Sequence, residues 1–149
     1  MADDKPHAAP LVVAIDDGYA AYDQEHALLG AAGARFELRP VRGSAAAAVQ
    51  AVRDATVVLV RESPLPREAI EAMAQGRGIV RYGIGVDNID QQAARERRIV
   101  VSNVPDYGTD EVATHTVALA LAAVRRLRLH DREVRAGRWS TGVLAPMHR

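Results

Sequence analysis

The chain has no cysteine, which excludes disulfides and thiolate chemistry and leaves an ordinary reducing cytoplasm as the simplest home. It carries no net charge: 19 basic residues face 19 acidic ones, so nothing in the overall balance favours nucleic acid or a membrane surface. Lysine is nearly missing, with Lys5 alone and arginine supplying the remaining basic residues, a bias that codon usage accounts for without any functional demand. Long apolar runs are missing too. Val117 to Val124 is the most apolar helical stretch, and Arg125 and Arg126 end it far short of the roughly 20 residues a membrane span needs. The N-terminus, MADDKPHAAP, is acidic and proline-bearing where a signal peptide is basic and then apolar, so residues 1–9 read as a disordered lead. What remains is 149 residues, 48% of them apolar, which is the size of one domain with material for a real core.

The apolar pattern predicts an α/β chain. Leu11 to Ile15 is a continuous apolar run closing in Asp16, Asp17 and Gly18, as expected of a strand buried on both faces. Ala20 to Ala32 reads as a helix stopped by Gly30 and Gly33, Ala34 to Leu38 as an edge-like strand, and Ala45 to Arg53 as a helix capped by the Ser44 hydroxyl. Thr56 to Val60 is a third strand. Pro66 then occupies a first helical position, Ile70 and Met73 form the inward stripe, and Gly76 closes that helix. Gly78 to Tyr82 and Ile99 to Val101 are the last two strands, with Asp90 capping a helix through Arg97 between them. Alternating strands and helices with short connections predict a five-stranded parallel sheet with helices on both faces.

The last long element differs from the others. From Thr109 to about His130 the apolar positions Val112, Ala113, Val117 to Val124 and Leu127 nearly encircle the predicted helix. A helix that is apolar all round is normally buried all round. One sheet of this size covers only one side, so the other side is expected to meet another domain or subunit. Asp131 to Ala136 reads as a second short helix ending at Gly137, and residues 140–149 as a linker.

In an open parallel sheet, ligands bind beyond the carboxyl ends of the strands. The turn Gly83-Ile84-Gly85 lies there, but it is not a dinucleotide fingerprint, because the third glycine falls at Asn88 and the next strand ends near Asn103 rather than at an acid. Its two glycines let backbone amides approach an anionic group, or simply make a tight turn. Asp16 and Asp17 sit where a phosphoacceptor receiver domain has its acidic pair, yet that chemistry needs an Asp and a Lys where this chain has Arg61 and Asn103; a solvated turn is the plain reading. Arg61 has the planar fork to pair with a carboxylate or phosphate, against Glu62 beside it. Asp87, Asn88 and Asp90 just ahead of a helix read as caps and turn-formers, not a metal site. His115 reads as an interface residue, and the Arg125 to Arg138 series as a solvated helix face.

The segments RYGIGVDNID, RIVVSNVPDYGTDEVATHTVALALAAVRR and VRAGRW, in that order and spacing, resemble the D-isomer-specific 2-hydroxyacid dehydrogenases, closest to their C-terminal-binding-protein-like branch. The resemblance spans roughly Val58 to Trp139. It implies a flavodoxin-like substrate domain over 10–108 and crossing helices over 109–139 that lead to a separate NAD-binding (Rossmann) domain. It implies reversible hydride transfer between NAD or NADP and a small 2-hydroxy or 2-oxo acid. The family's substrate-holding arginine, acid/base histidine and orienting glutamate lie beyond Arg149, so no catalytic residue is assigned in this chain and the fragment is expected to be inactive alone. Matched position by position, Arg61, Glu62 and Ser63 fall on a loop whose backbone amides face the substrate carboxylate. Gly83, Ile84 and Gly85 fall on a turn between substrate and nicotinamide, with Ile84 and Val112 at cofactor contacts. Gly108 replaces an Asn, Ser or Cys common in relatives, so a polar contact is missing and substrate preference is open. The competing reading is a stand-alone binding or dimerisation module built on the apolar helix, with a homodimer as its partner state.

Overall fold

The computed structural model describes residues 9–139, so all but the last residue of the expected lead over 1–9, and the linker over 140–149, lie outside the described residues. The chain divides between Pro105 and Asp106 into two compact units. The first is a sheet of β1 (Leu11–Ala14), β2 (Arg35–Leu38), β3 (Val57–Val60), β4 (Gly78–Arg81) and β5 (Val100–Ser102). The order is β2-β1-β3-β4-β5 with every pairing parallel, in a register that sets Val13 beside Val58, Leu59 beside Val80 and Ile79 beside Val101. All carboxyl ends therefore share one edge, and the loops after β1, β3 and β4 meet there.

Helices α1 (Asp23–Ala31), α2 (Ala45–Ala51), α3 (Arg67–Ala72) and α4 (Gln91–Glu96) connect the strands. Helices α2, α3 and α4 cover one face of the sheet, where Val13, Val58 and Ile79 share a core cluster with Ala48, Val52, Ala69, Ile70 and Ala93. The opposite face is smaller: Val12, Ala14 and Leu59 meet Tyr22, with Leu29 and Phe36 at its margin. This two-sided cover explains why β1 is apolar throughout and buried throughout, while the edge strand β2 has no buried residue.

Local capping follows the sequence closely. The Ser44 hydroxyl accepts from the Ala47 amide at 3.2 Å, and the Asp90 carboxylate accepts from the Ala93 amide at 2.8 Å. Gly33, at φ 74°, ends α1 in the left-handed conformation glycine tolerates.

Three expectations need correction. Helix α1 begins at Asp23 rather than Ala20, because the Tyr19 and Tyr22 rings meet edge to face in the turn ahead of it and the Tyr22 hydroxyl donates to the Asp16 carbonyl. Pro66 is the cap residue rather than the first helical one, and α3 has ended by Met73; Gly76 is needed for space, since a Cβ there would lie 2.9 Å from both Ile99 Cδ1 and Met73 Cβ.

The third correction concerns the second unit. The two expected helices are present but divide earlier: the first, expected to reach about His130, is α5 (Thr109–Val124), and the second, expected over Asp131 to Ala136, is α6 (Leu127–Arg135), with Arg126 at φ 51° between them. Gly137, at φ 72°, follows α6 as a helix stop. No residue of α5 is buried, where one covered side was expected, and Val112, Val117, Leu119, Leu121 and Val124 are all exposed. Among the described residues no helix is long and apolar enough to cross a membrane.

Candidate functional site

The carboxyl edge of the sheet brings the loops after β1, β3 and β4 together, and Asp16 is their centre. It follows Ile15 at the end of β1, and its carboxylate accepts from the amides of Arg61, Glu62 and Ser63 at 2.7, 3.3 and 3.1 Å and from the Ser63 hydroxyl at 2.7 Å. Bonds to an ionised acceptor are the stronger kind. Ser63 is the one buried polar side chain among the described residues. Its hydroxyl also accepts from the Gly43 amide at 3.3 Å, and its carbonyl accepts from Asn88 Nδ2 at 2.9 Å. Asn88 in turn accepts through its carbonyl from the Leu65 amide at 2.8 Å. One hydrogen-bonded path thus runs from β1 to the loop that precedes α4.

The amides of Arg61, Glu62 and Ser63 were expected to face a substrate carboxylate. In the folded chain they already face one, that of Asp16. The Arg61 guanidinium is equally engaged: it donates to the Gly18 carbonyl at 3.1 Å, pairs with Glu62 at 3.1 Å and lies over the Tyr19 ring at 5.4 Å. A Cβ on Gly18 would come within 2.2 Å of Arg61 Nη1, so a side chain there would displace the guanidinium from this position.

The turn after β4 behaves differently. The Gly83 amide donates to the Arg81 carbonyl at 2.9 Å, but the amides of Ile84 and Gly85 donate to no acceptor among the described residues. Both residues are exposed. The carbonyls of this turn are held, Gly83's by the Val104 amide at 3.1 Å and Ile84's by Asn103 Nδ2 at 2.6 Å. Arg81 folds its guanidinium back over Gly83, so close that a Cβ on Gly83 would lie 1.3 Å from Nη1. The Arg81 Nε is buried without a hydrogen-bond partner among the described residues. The result is two free amides with an arginine beside them, a concentration of donors that suits an anion.

Tyr82, next to Gly83, packs edge to face on Tyr19 and donates its hydroxyl to Glu25 at 3.0 Å. Burial, and then the bond to Glu25, push its ionisation well above the usual tyrosine range. Tyr22 is raised as well, first by burial and then by the Asp16 charge.

The remaining sequence candidates fall as follows. Asp90 is a helix cap, as read. Among the described residues no group of three or more His, Cys, Asp or Glu side chains is placed to hold a metal. Ile84, in the first unit, and Val112 and His115, in the second, are exposed. The sequence reading passed over Arg81, Asn103 and the role of Asp16. Asp16 had suggested a receiver-type acidic pair and then a solvated turn, and Asn103 only a mismatch to other families, although each is a polar residue just past a strand, which is the one local signal they carry.

A parallel α/β domain with a glycine-flanked turn at the carboxyl edge of its sheet is the class that fold and site define. Comparison narrows it: the D-isomer specific 2-hydroxyacid dehydrogenase catalytic domain matches residues 13–142, and the chain belongs to that family. A D-3-phosphoglycerate dehydrogenase of Archaeoglobus fulgidus is 42% identical over 83 residues, 56% of this chain and 16% of that protein. A glyoxylate reductase of Korarchaeum cryptofilum is 41% identical over 86 residues, 58% of this chain and 26% of that protein. The NAD+-bound 3-phosphoglycerate dehydrogenase of Entamoeba histolytica superposes with a TM-score of 0.68 at 27% identity, over 79% of this chain and 40% of that one. The matched part is under half the length of each of these relatives.

Proposed function

We propose that this chain is the substrate-binding portion of an NAD-dependent oxidoreductase that interconverts a small 2-hydroxy acid and the corresponding 2-oxo acid. The observation that carries the reading is the pair of amides at Ile84 and Gly85, both exposed residues, which have no acceptor among the described residues and follow an interior strand of this family's fold. Two neighbouring N–H donors can serve the oxygens of a carboxylate, and the charge of Arg81 near the turn favours an anion. Gly83 gives the turn its shape. Arg61, Glu62 and Ser63 form the adjoining wall, contributing side chains and a rigid loop, since their amides are occupied by Asp16.

The nicotinamide cofactor supplies the hydride, and its main site belongs to an NAD-binding portion that this chain meets in cis or in trans. NAD, the cofactor of the Entamoeba structure, is proposed over NADP. Ile84 and Val112 are the proposed contacts from this side. The acid/base histidine, its glutamate partner and the second holder of the carboxylate belong to that other portion, in the manner of the C-terminal-binding-protein-like branch that the segment RYGIGVDNID resembles. The exposed apolar face of α5 is the surface proposed to meet it, because so much apolar area is stable only when covered. The protein is assigned to the cytoplasm, where nicotinamide cofactors circulate.

The test joins this chain to an NAD-binding portion and follows NADH or NADPH oxidation at 340 nm with glyoxylate and hydroxypyruvate. Turnover by the joined protein and none by the 149-residue chain alone is the expected result. A joined, folded protein that reduces neither acid nor any related 2-oxo acid sinks the proposal.

A further inference from the structure

The two amides of the turn after β4 owe their direction to groups that hold the opposite side of each peptide. In a trans peptide the C=O and the following N–H lie in one plane and point opposite ways, and the chain contains no cis peptide among its described residues. Fixing a carbonyl therefore aims the next residue's amide. The Gly83 carbonyl accepts from the Val104 amide at 3.1 Å, which aims the Ile84 N–H; the Ile84 carbonyl accepts from Asn103 Nδ2 at 2.6 Å, which aims the Gly85 N–H. Both anchors come from the segment just after β5. That segment is in turn registered to β4 by the pairing of Val80 with Ser102.

From this we infer that Asn103 is a positioning residue: through the Ile84 carbonyl it orients the Gly85 amide toward the substrate carboxylate. The inference rests on the proposal that this turn is the carboxylate site. Asn103 does not touch substrate in this scheme. It is suited to the task because its side-chain amide is a neutral donor, whereas an acid at the same place would set two acceptors against each other at 2.6 Å. A glycine-flanked turn has many conformations open to it, so without this anchor the Gly85 peptide is free to rotate. The backbone anchor at Val104 holds Ile84 independently of the residue at 103, so the two donors separate experimentally.

The experiment compares the wild-type chain with Asn103→Asp and Asn103→Ala, all 15N-labelled. Residual dipolar couplings of the Ile84 and Gly85 N–H bonds report orientation without any ligand. The expected result is a changed Gly85 coupling in both variants, an unchanged Ile84 coupling, and core amides such as Val58 and Ile79 unaltered. A Gly85 coupling identical to wild type overturns the inference. Titration with oxalate then reads function: losing one well-aimed donor to a carboxylate should weaken binding by about tenfold or more. In the joined protein the KM for the 2-oxo acid should rise with kcat little changed, the sign of lost uniform binding, which a mere loss of stability does not produce. If wild type ignores oxalate, the carboxylate reading of the turn fails while the couplings still decide whether Asn103 orients Gly85. Oxalate affinity unchanged in Asn103→Asp, with wild-type binding intact, overturns the positioning role.

Discussion

The loops after β3 and β4 lie side by side at the same edge of the sheet, follow strands of equal length and are both rich in backbone donors, yet only one has donors to offer. Arg61, Glu62 and Ser63 give their amides to Asp16, while Ile84 and Gly85 give theirs to nothing among the described residues. The difference is the presence of a carboxylate one strand away. Availability of an amide is decided by what the neighbouring loop presents, so an anion site cannot be located from a loop's own residues.

The sharpest way to break that contrast is to remove the internal carboxylate. Asp16→Ala leaves three amides and the Ser63 hydroxyl without their acceptor, and should cost roughly 3 kcal/mol in urea unfolding, since groups left unpaired lose their hydration without compensation. Asp16→Asn, which keeps one accepting oxygen, should cost less.

Next in size is the pair Gly83→Ala and Gly85→Ala. At Gly83 the new methyl meets the Arg81 guanidinium, whereas at Gly85 the nearest atom is Asp87 Oδ2 at 3.3 Å, the mobile end of an exposed side chain. Gly83→Ala should destabilise by about 1–2 kcal/mol, because φ 157° is strained for a residue with a Cβ, and should displace Arg81. Gly85→Ala should change stability by no more than about 0.5 kcal/mol, within the range of ordinary surface substitutions. Thermal melts of the two variants test the ordering, and equal losses would refute the backbone requirement for glycine at position 83.

The smallest effect is on pH dependence. Tyr82 and Tyr22 ionise higher in the folded chain than their ordinary value of 10.0, so the folded state holds these protons more tightly than the unfolded state does. Their contribution is complete below pH 10 and is lost as pH rises through the folded values. The urea midpoint should therefore fall on going above about pH 10, the unperturbed tyrosine value. Tyr82→Phe should flatten that fall and cost about 1 kcal/mol at neutral pH for the lost bond to Glu25.

Much of the fold was legible in the residues. Four apolar runs and one alternating, edge-like segment marked five strands, and the caps at Ser44 and Asp90 were readable because each reaches an amide only three residues on. The position of the break between α5 and α6 was not legible and was set at His130 instead: Arg126 adopts a left-handed conformation with no glycine or proline to announce it. Gly76 looked like a helix stop and proved to be a packing requirement against Ile99, a neighbour distant in sequence. Of the candidate site, the glycine-flanked turn was visible, whereas Asp16, 45 to 47 residues from the amides it holds, read as a solvated turn.

The sequence by itself determined the order and type of the elements, the family, and the position of the turn after β4, because strands, caps and glycine turns depend on residues within about four of one another. Only the tertiary structure decided which backbone amides remain free. That outcome depends on parallel pairing, which brings residues far apart in the chain to one edge and lets a carboxylate from β1 occupy one loop while Asn103 and Val104, from beyond β5, hold the carbonyls of the other.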